Sequence, residues 1–192
     1  MQLFIAEKPE LAKAIVAGLG GEQRSEGYYD CGASYVTWCY GHMLKLLSPE
    51  DYDQRYRIWN LDDLPIVNIP WHRKPADDAG RQAQLKTIIR LLKTADNVVH
   101  AGDPDEEGQL LVDEILAYAE CRVPVQRLLI NDNNIKVVRR QLSAMRHNRD
   151  FAGLSAPAEA RSVGDQLYGF NLRRAYTLAA HAKGYQGVVS TY

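Results

Sequence analysis

The sequence predicts an α/β protein: a mainly parallel sheet flanked by helices, with a helical segment towards its C-terminal end. Three observations carry that prediction. Short β-branched and apolar runs alternate with stretches of helical period, the pattern made by parallel strands joined through right-handed crossovers. Two groups of charged residues, Glu7-Lys8 and the acids of 103–107, each follow a strand-like run directly, where parallel sheets collect functional groups. The composition breaks at NRDFAGLSAPAEA (148–160), and the helical stretch beyond it has no strand to feed.

Taken in order, QLFIA (2–6) reads as a strand and Glu7-Lys8-Pro9 as a tight turn. A helix follows from about Glu10 to Gly18, with proline suited to the first helical turn and Gly20-Gly21 closing it. YVTWCYG (35–41) is a β-branched and aromatic strand, expected to pair with the region around Tyr28 to Cys31. Residues 42–80, rich in Pro, Asp and Trp with little periodicity, read as an excursion over the surface. RQAQLKTIIRLLKTAD (81–96) regains helical period, with Leu85, Ile88, Ile89 and Leu92 on one face. Then come a strand at 97–101, an acidic turn, and a helix whose Leu111, Ile115 and Tyr118 share a face. VQRLLI (125–130) is a short buried strand, followed by a basic helix with Ile135, Val138, Leu142 and Met145 as its stripe. ARSVGDQLYGFNLRRAYTLAAHA (160–182) is helical in period, with Leu167, Phe170, Ala175 and Leu178 expected inward.

Length and composition exclude several classes. With 192 residues the chain holds one good core, or one domain and part of a second. Its 46% hydrophobic and 24% charged content is that of a soluble globular protein. The apolar runs fall short of a membrane span, and MQLFIAEKPE has no signal-peptide pattern, so no membrane partner is expected. Cys31, Cys39 and Cys121 form no C-x-x-C pair, which argues against a disulfide framework or zinc site and for a cytoplasmic location. The net charge of −1 hides segregation: eight acids and no Lys or Arg lie between Asp96 and Glu120. Five bases and no acid lie between Ile135 and Arg149, and four bases with one acid between Arg161 and Lys183. An acidic centre beside basic flanks suits metal ions held next to a polyanion.

The acidic centre is concentrated in NVVHAGDPDEEGQLLVDEIL (97–116), where Asp103, Asp105, Glu106 and Glu107 crowd into five positions. Like charges so close repel, so a fold keeps them only if something offsets the repulsion. Hard oxygen donors in D-x-D spacing with Glu107 beyond suit Mg²⁺, which binds one or two carboxylates together with substrate phosphate. Glu7 can complete the group as ligand or general acid/base, and Lys8 offers a cation for a phosphate oxygen. The plain alternative is an acidic helix start stabilised by the macrodipole. Placement of both groups at strand ends of one sheet favours phosphoryl-transfer chemistry.

AEKP (6–9) followed by AGDPDEEGQLLVDE (101–114) resembles the Toprim domain of type IA DNA topoisomerases, and its bacterial topoisomerase III branch in particular. That signature is an N-terminal Glu with a later D-x-D-x-E. Supporting stretches are VTWCYGH (36–42), RIWNLDDLPI (57–66), LINDNN (129–134), LYGFNLRRAYT (167–177) and GYQGV (184–188). The resemblance implies a Rossmann-like Toprim domain at 1–150 and the beginning of a helical DNA-binding domain at 151–192. It implies ATP-independent nicking, passage and resealing of DNA strands with Mg²⁺. By the same resemblance Glu7 and Lys8 are catalytic, while Asp103, Asp105 and Glu107 are associated with Mg²⁺. Arg161, Asp165, Gly169, Asn171 and Arg174 match the segment that helps form a groove for single-stranded DNA, and the basic charge there fits backbone tracking.

The chain departs from the family pattern in three ways. Glu106 stands where the family usually has Arg, and Gln166 replaces an aromatic residue. The sequence ends at VVSTY, before the region that carries the family's tyrosine nucleophile; Tyr192 is not in that context. Without a nucleophile no covalent phosphotyrosine forms, so strand passage by this chain alone is not expected. Its partners would then be single-stranded DNA and the remaining topoisomerase domains or another protein. Competing readings are a stand-alone Toprim nuclease and a non-catalytic DNA-binding module. A nucleotide-binding protein is disfavoured for want of a Gly-rich phosphate loop. His42, His100 and the tryptophans Trp38, Trp59 and Trp71 read as structural first.

Overall fold

The computed structural model describes residues 1–21, 23–67 and 69–190; Tyr192 lies outside them. In chain order the elements are β1 (Gln2–Ala6), α1 (Pro9–Leu19), β2 (Gln23–Ser25), β3 (Tyr28–Asp30), β4 (Ser34–Trp38) and β5 (Leu44–Leu46). There follow α2 (Pro49–Tyr52), β6 (Arg73–Pro75), α3 (Ala79–Leu92), β7 (Asn97–Ala101) and α4 (Glu106–Tyr118). The last are β8 (Val125–Arg127), α5 (Ile135–Leu142), β9 (Arg146–His147) and α6 (Ala156–Ala182). The chain divides into two compact units, residues 1–45 with 75–158, and residues 46–74 with 159–192.

The first unit is built on a seven-stranded sheet in the order β2-β3-β4-β1-β7-β8-β9. Its centre, β4-β1-β7-β8, is parallel, while β2, β3 and β9 join antiparallel at the edges. Side chains of a strand alternate between faces, and β1 shows the consequence. Leu3 and Ile5 pack with Ile88 of α3 and Ile115 of α4, whereas Phe4 and Ala6 pack with Leu11 and Ile15 of α1 and Val138 of α5. Helices on both faces explain why β1 is apolar on both sides from Leu3 to Ala6. Leu3, Ile5, Ile15, Ile88 and Ile115 are fully buried, each worth about 1.5–3 kcal/mol of transfer free energy.

Local chemistry sets the helix limits. Pro9 opens α1 and Gly20 ends it at a φ of 96°, a left-handed conformation natural to glycine. Asp78, Asp105 and Asn134 accept hydrogen bonds at the N-termini of α3, α4 and α5. The expected strands at 35–41 and 125–130 are shorter than predicted, ending at Trp38 and Arg127. In α4, Leu111 and Ile115 are buried as expected, but Tyr118 is 42% exposed.

Within the stretch 42–80 expected to run over the surface, residues 46–74 are indeed largely exposed, but they are anchored. With α6 they make the second unit, in which Tyr56 and Ile66 are buried. Polar side chains tie this unit together. Asn171 bonds both the N–H and the carbonyl of Ile66, and Gln166 donates to the carbonyl of Leu47 at 2.7 Å. Arg73 forms two bonds with Glu159. These anchors account for the burial along α6: Arg174 and Thr177 are buried, while Leu167, Phe170, Ala175 and Leu178 are only half-buried. The segment 148–160, where the composition breaks, is ordered. It holds a short 3₁₀ turn at Asn148–Phe151 and the start of α6.

Candidate acidic site at a topological switch point

From β1 the chain crosses through α1 towards β4 on one side; from β7 it crosses through α4 towards β8 on the other. The loops leaving adjacent strands β1 and β7 therefore diverge and open a crevice between them, the usual ligand position in an open α/β sheet. Register brings the two loops level. Ala6 pairs with Ala101, and the Glu7 N–H donates to the Ala101 carbonyl at 3.1 Å. The Asp103 N–H then donates to Glu7 Oε2 at 2.6 Å, and Lys8 Nζ meets Asp103 Oδ2 at 2.5 Å. Residues 96 positions apart thus share one hydrogen bond.

The acidic loop turns straight into α4. Asp105 Oδ1 accepts from the Gly108 N–H at 2.7 Å, so one of the carboxylates also caps the helix. Glu106 and Glu107 occupy its first turn. Glu107 Oε2 lies 3.7 Å from His42 Nε2, and His42 Nδ1 lies 3.1 Å from the buried Glu114. Two glycines make the loop possible. A Cβ on Gly102 would fall 2.0 Å from the Gly108 carbonyl oxygen, and one on Gly108 would fall 2.5 Å from the Asp103 backbone and 2.7 Å from Glu7 Oε2. Beside the loop opens a cleft of about 350 Å³, lined by Lys8, Asp103, Asp105, Asn131 and Asn133 among others.

Burial raises the Glu7 carboxyl above its ordinary value, and the charges of Asp103 and Asp105 add to that, against the opposing Asp103 N–H bond and Lys8. The hydrogen bond to Asp103 raises the Lys8 ammonium. The donors are hard carboxylate oxygens, the chemistry Mg²⁺ takes. Among the described residues, however, no three Asp, Glu, His or Cys side chains are arranged to hold a metal ion. In this arrangement the Lys8 ammonium is paired with Asp103 Oδ2.

A buried polar layer under the loop escaped the sequence reading. Arg127, 1% exposed, donates through Nε to Gln109 Oε1 at 2.8 Å. Its other nitrogens donate to the carbonyls of Gly102 at 2.7 Å and of Leu128 and Asp103 at 2.8 Å each. Gln109 passes the chain on to Asp113 and Asn148, and Ser155 also bonds Asp113. His100 is fully buried with both ring nitrogens engaged. Because Nδ1 must accept from the Gly102 N–H, Nε2 carries the proton and donates to the Gln109 carbonyl. Burial first, then the Arg127 charge, pushes its pKa down to about 4, so the ring is neutral. The available signal was a lone arginine inside the apolar run VQRLLI.

The helical residues singled out from the sequence belong to the second unit. Arg161 and Asp165 are exposed there, and Gly169 is buried. Asn171 is engaged with Ile66, and Arg174 is 5% exposed, bonded to the Tyr56 carbonyl at 2.9 Å and to Glu50 at 3.2 Å.

Residues 2–139 match the Toprim domain family, and the chain belongs to it. Its relatives narrow the class to a topoisomerase 3-like protein. It is 49% identical to DNA topoisomerase 3 of Vibrio cholerae serotype O1 and 48% identical to that of Salmonella typhimurium, over 98% and 99% of its own length. DNA topoisomerase 3 of Bacillus cereus is 32% identical over 98% of the chain. The chain spans about 30% of the length of the first two relatives and 26% of the third. Full-length topoisomerase I from Thermotoga maritima aligns over 99% of this chain and 27% of its own, at 16% identity and a TM-score of 0.49, too distant to carry an argument. Among the described residues no helix is long and apolar enough to cross a membrane.

Proposed function

We propose that this chain supplies the acidic half of a site for cleaving and rejoining single-stranded DNA, with Mg²⁺ as cofactor, in the cytoplasm. The observation that carries the reading is the convergence of Glu7 and Lys8 on Asp103 at the switch point of a Toprim-family sheet. Asp103, Asp105 and Glu107 are the carboxylates that would hold the ion, on condition that Lys8 leaves Asp103 and the three side chains turn together. Once bound, Mg²⁺ would supply charge neutralisation for a phosphodiester oxygen. Displaced from Asp103, Lys8 becomes available to the same phosphate. Glu7, its carboxyl raised by burial, is suited to hold or release a proton at the leaving oxygen. In the second unit, Arg161 and Asp165 are the exposed members of the proposed DNA-binding segment. Asn171 and Arg174 would act there by holding α6 in place.

The test is calorimetric titration with Mg²⁺, followed by binding of a labelled single-stranded oligonucleotide and a nicking assay on plasmid DNA. Millimolar or tighter Mg²⁺ binding that weakens at least about tenfold in Asp103→Asn, with salt-sensitive oligonucleotide binding, is expected. Metal-dependent nicking abolished by the same substitution would favour a stand-alone nuclease. Oligonucleotide binding indifferent to Mg²⁺ would favour a non-catalytic module.

A further inference from the structure

We propose that Arg127 is a positioning residue for the acidic site: its buried guanidinium fixes the Gly102–Asp103 backbone and is the internal counter-charge that lets Glu7, Asp103 and Asp105 stand together. The inference rests on geometry inside the first unit alone, so it stands or falls separately from the Mg²⁺ and DNA reading. Its starting point is the repulsion among the acids, which the fold must offset even with no ion bound.

Two cations are at hand. Lys8 is the obvious one; its charge also reaches Glu7 and Asp105, but its side chain is 46% exposed and its hydrogen-bonded ion pair is with Asp103, the kind of surface pair that contributes little. Arg127 differs in every respect. It is 1% exposed, and its hydrogen-bond acceptors are all neutral: the carbonyls of Gly102, Asp103, Leu128 and, at 3.4 Å, His100, with the Gln109 amide oxygen. A buried charge without hydrogen bonds is strongly disfavoured; here neutral oxygens solvate it without cancelling it. Burial pulls the guanidinium pKa down to about 10, and the carboxylates that favour its charged form against this are Asp113 first, then Glu7, Asp103 and Asp105. The neutral His100 next door adds no second positive charge.

The planar fork explains why the residue is arginine. Carbonyls from the β7 end, the acidic loop and the residue that follows β8 are bridged by one rigid group, which a lysine ammonium does not reproduce. The Phe151 ring centroid lies 5.9 Å from the guanidinium carbon.

The experiment is a set of double-mutant cycles read by chemical unfolding in metal-free buffer: Arg127→Met and Arg127→Lys, each alone and combined with Asp103→Asn and Asp105→Asn. If Arg127 is the counter-charge, Arg127→Met is destabilising, and neutralising the aspartates recovers at least about threefold of the lost folding equilibrium. Arg127→Lys, which keeps the charge and loses the fork, should show a smaller coupling. Additive effects in both cycles would overturn the proposal, because a residue that merely fills space does not sense the neutralisation of its neighbours. Failure of Arg127→Met to fold in every background, neutralised aspartates included, would count against it equally. Folding of Arg127→Met only when both aspartates are neutralised would support it.

Discussion

Glu7 Oε2 accepts a hydrogen bond from the Asp103 N–H at 2.6 Å, joining the ends of two adjacent parallel strands through a carboxyl group that burial holds above its ordinary pKa. The bond is favourable, yet the charge on that carboxyl is not. A folded-state pKa raised above the unfolded one means that the native state binds the proton more tightly, so stability falls as pH rises through the folded value.

Glu7→Gln keeps an oxygen that can accept from Asp103 and removes the charge. Its melting temperature at neutral pH should therefore exceed that of the unsubstituted protein. The gap should close as pH falls and Glu7 itself becomes protonated. Strand-cleavage chemistry, if assayed together with the domains that relatives carry, should be lost. Melting curves from pH 3 to 8 measure this, and a variant less stable at every pH would contradict the account.

Gly108→Ala puts a methyl group in the first turn of α4, where alanine ordinarily improves on glycine by about 1 kcal/mol. Here that Cβ would sit 2.5 Å from the Asp103 backbone, so overpacking wins and a net loss of about 1–3 kcal/mol is expected. Gly102→Ala, aimed at a backbone oxygen 2.0 Å away, should be worse. Urea titration of both variants gives the sign directly.

His100, neutral with the proton on Nε2, has a pKa of about 4 against 6.5 for the free side chain. For a depressed histidine the stability is fully present above 6.5 and is lost as pH falls from there towards 4. One proton's worth of acid destabilisation should appear in that window. Nitrogen chemical shifts of the ring should report the Nε2–H form at neutral pH; a protonated ring at pH 6 would refute the assignment.

Arg174 and Arg161 should separate cleanly. Arg174→Ala leaves the Tyr56 carbonyl and Glu50 without their partner, at about 2–3 kcal/mol to the second unit. It should leave the salt dependence of oligonucleotide binding unchanged. Arg161→Ala should instead lower the slope of log affinity against log salt by about 0.7.

Much of the first unit was legible in the sequence because its signals are local. The apolar strand at 2–6, Pro9 and Gly20 around α1, and the apolar run before the acids each follow from short-range rules. So did the acidic character of the site, since four carboxylates in five positions announce themselves. The anchoring of residues 46–74 was hidden for the same reason. They have no period because their order comes from hydrogen bonds to α6, formed by Asn171, Gln166 and Arg174 more than 100 positions away in sequence.

The sequence by itself determined the alternation of strands and helices, the clustering of the acids, and the glycines that let the loop meet α4. Tertiary structure alone decided that Glu7 would reach Asp103, because strand order and register are properties of the whole sheet. It also decided what lies beneath them. A single arginine in an apolar hexapeptide does not say which carbonyls it will serve; only the closing of β8 against β7 brings the Gly102 and Asp103 oxygens within 2.8 Å of its nitrogens and buries the charge there.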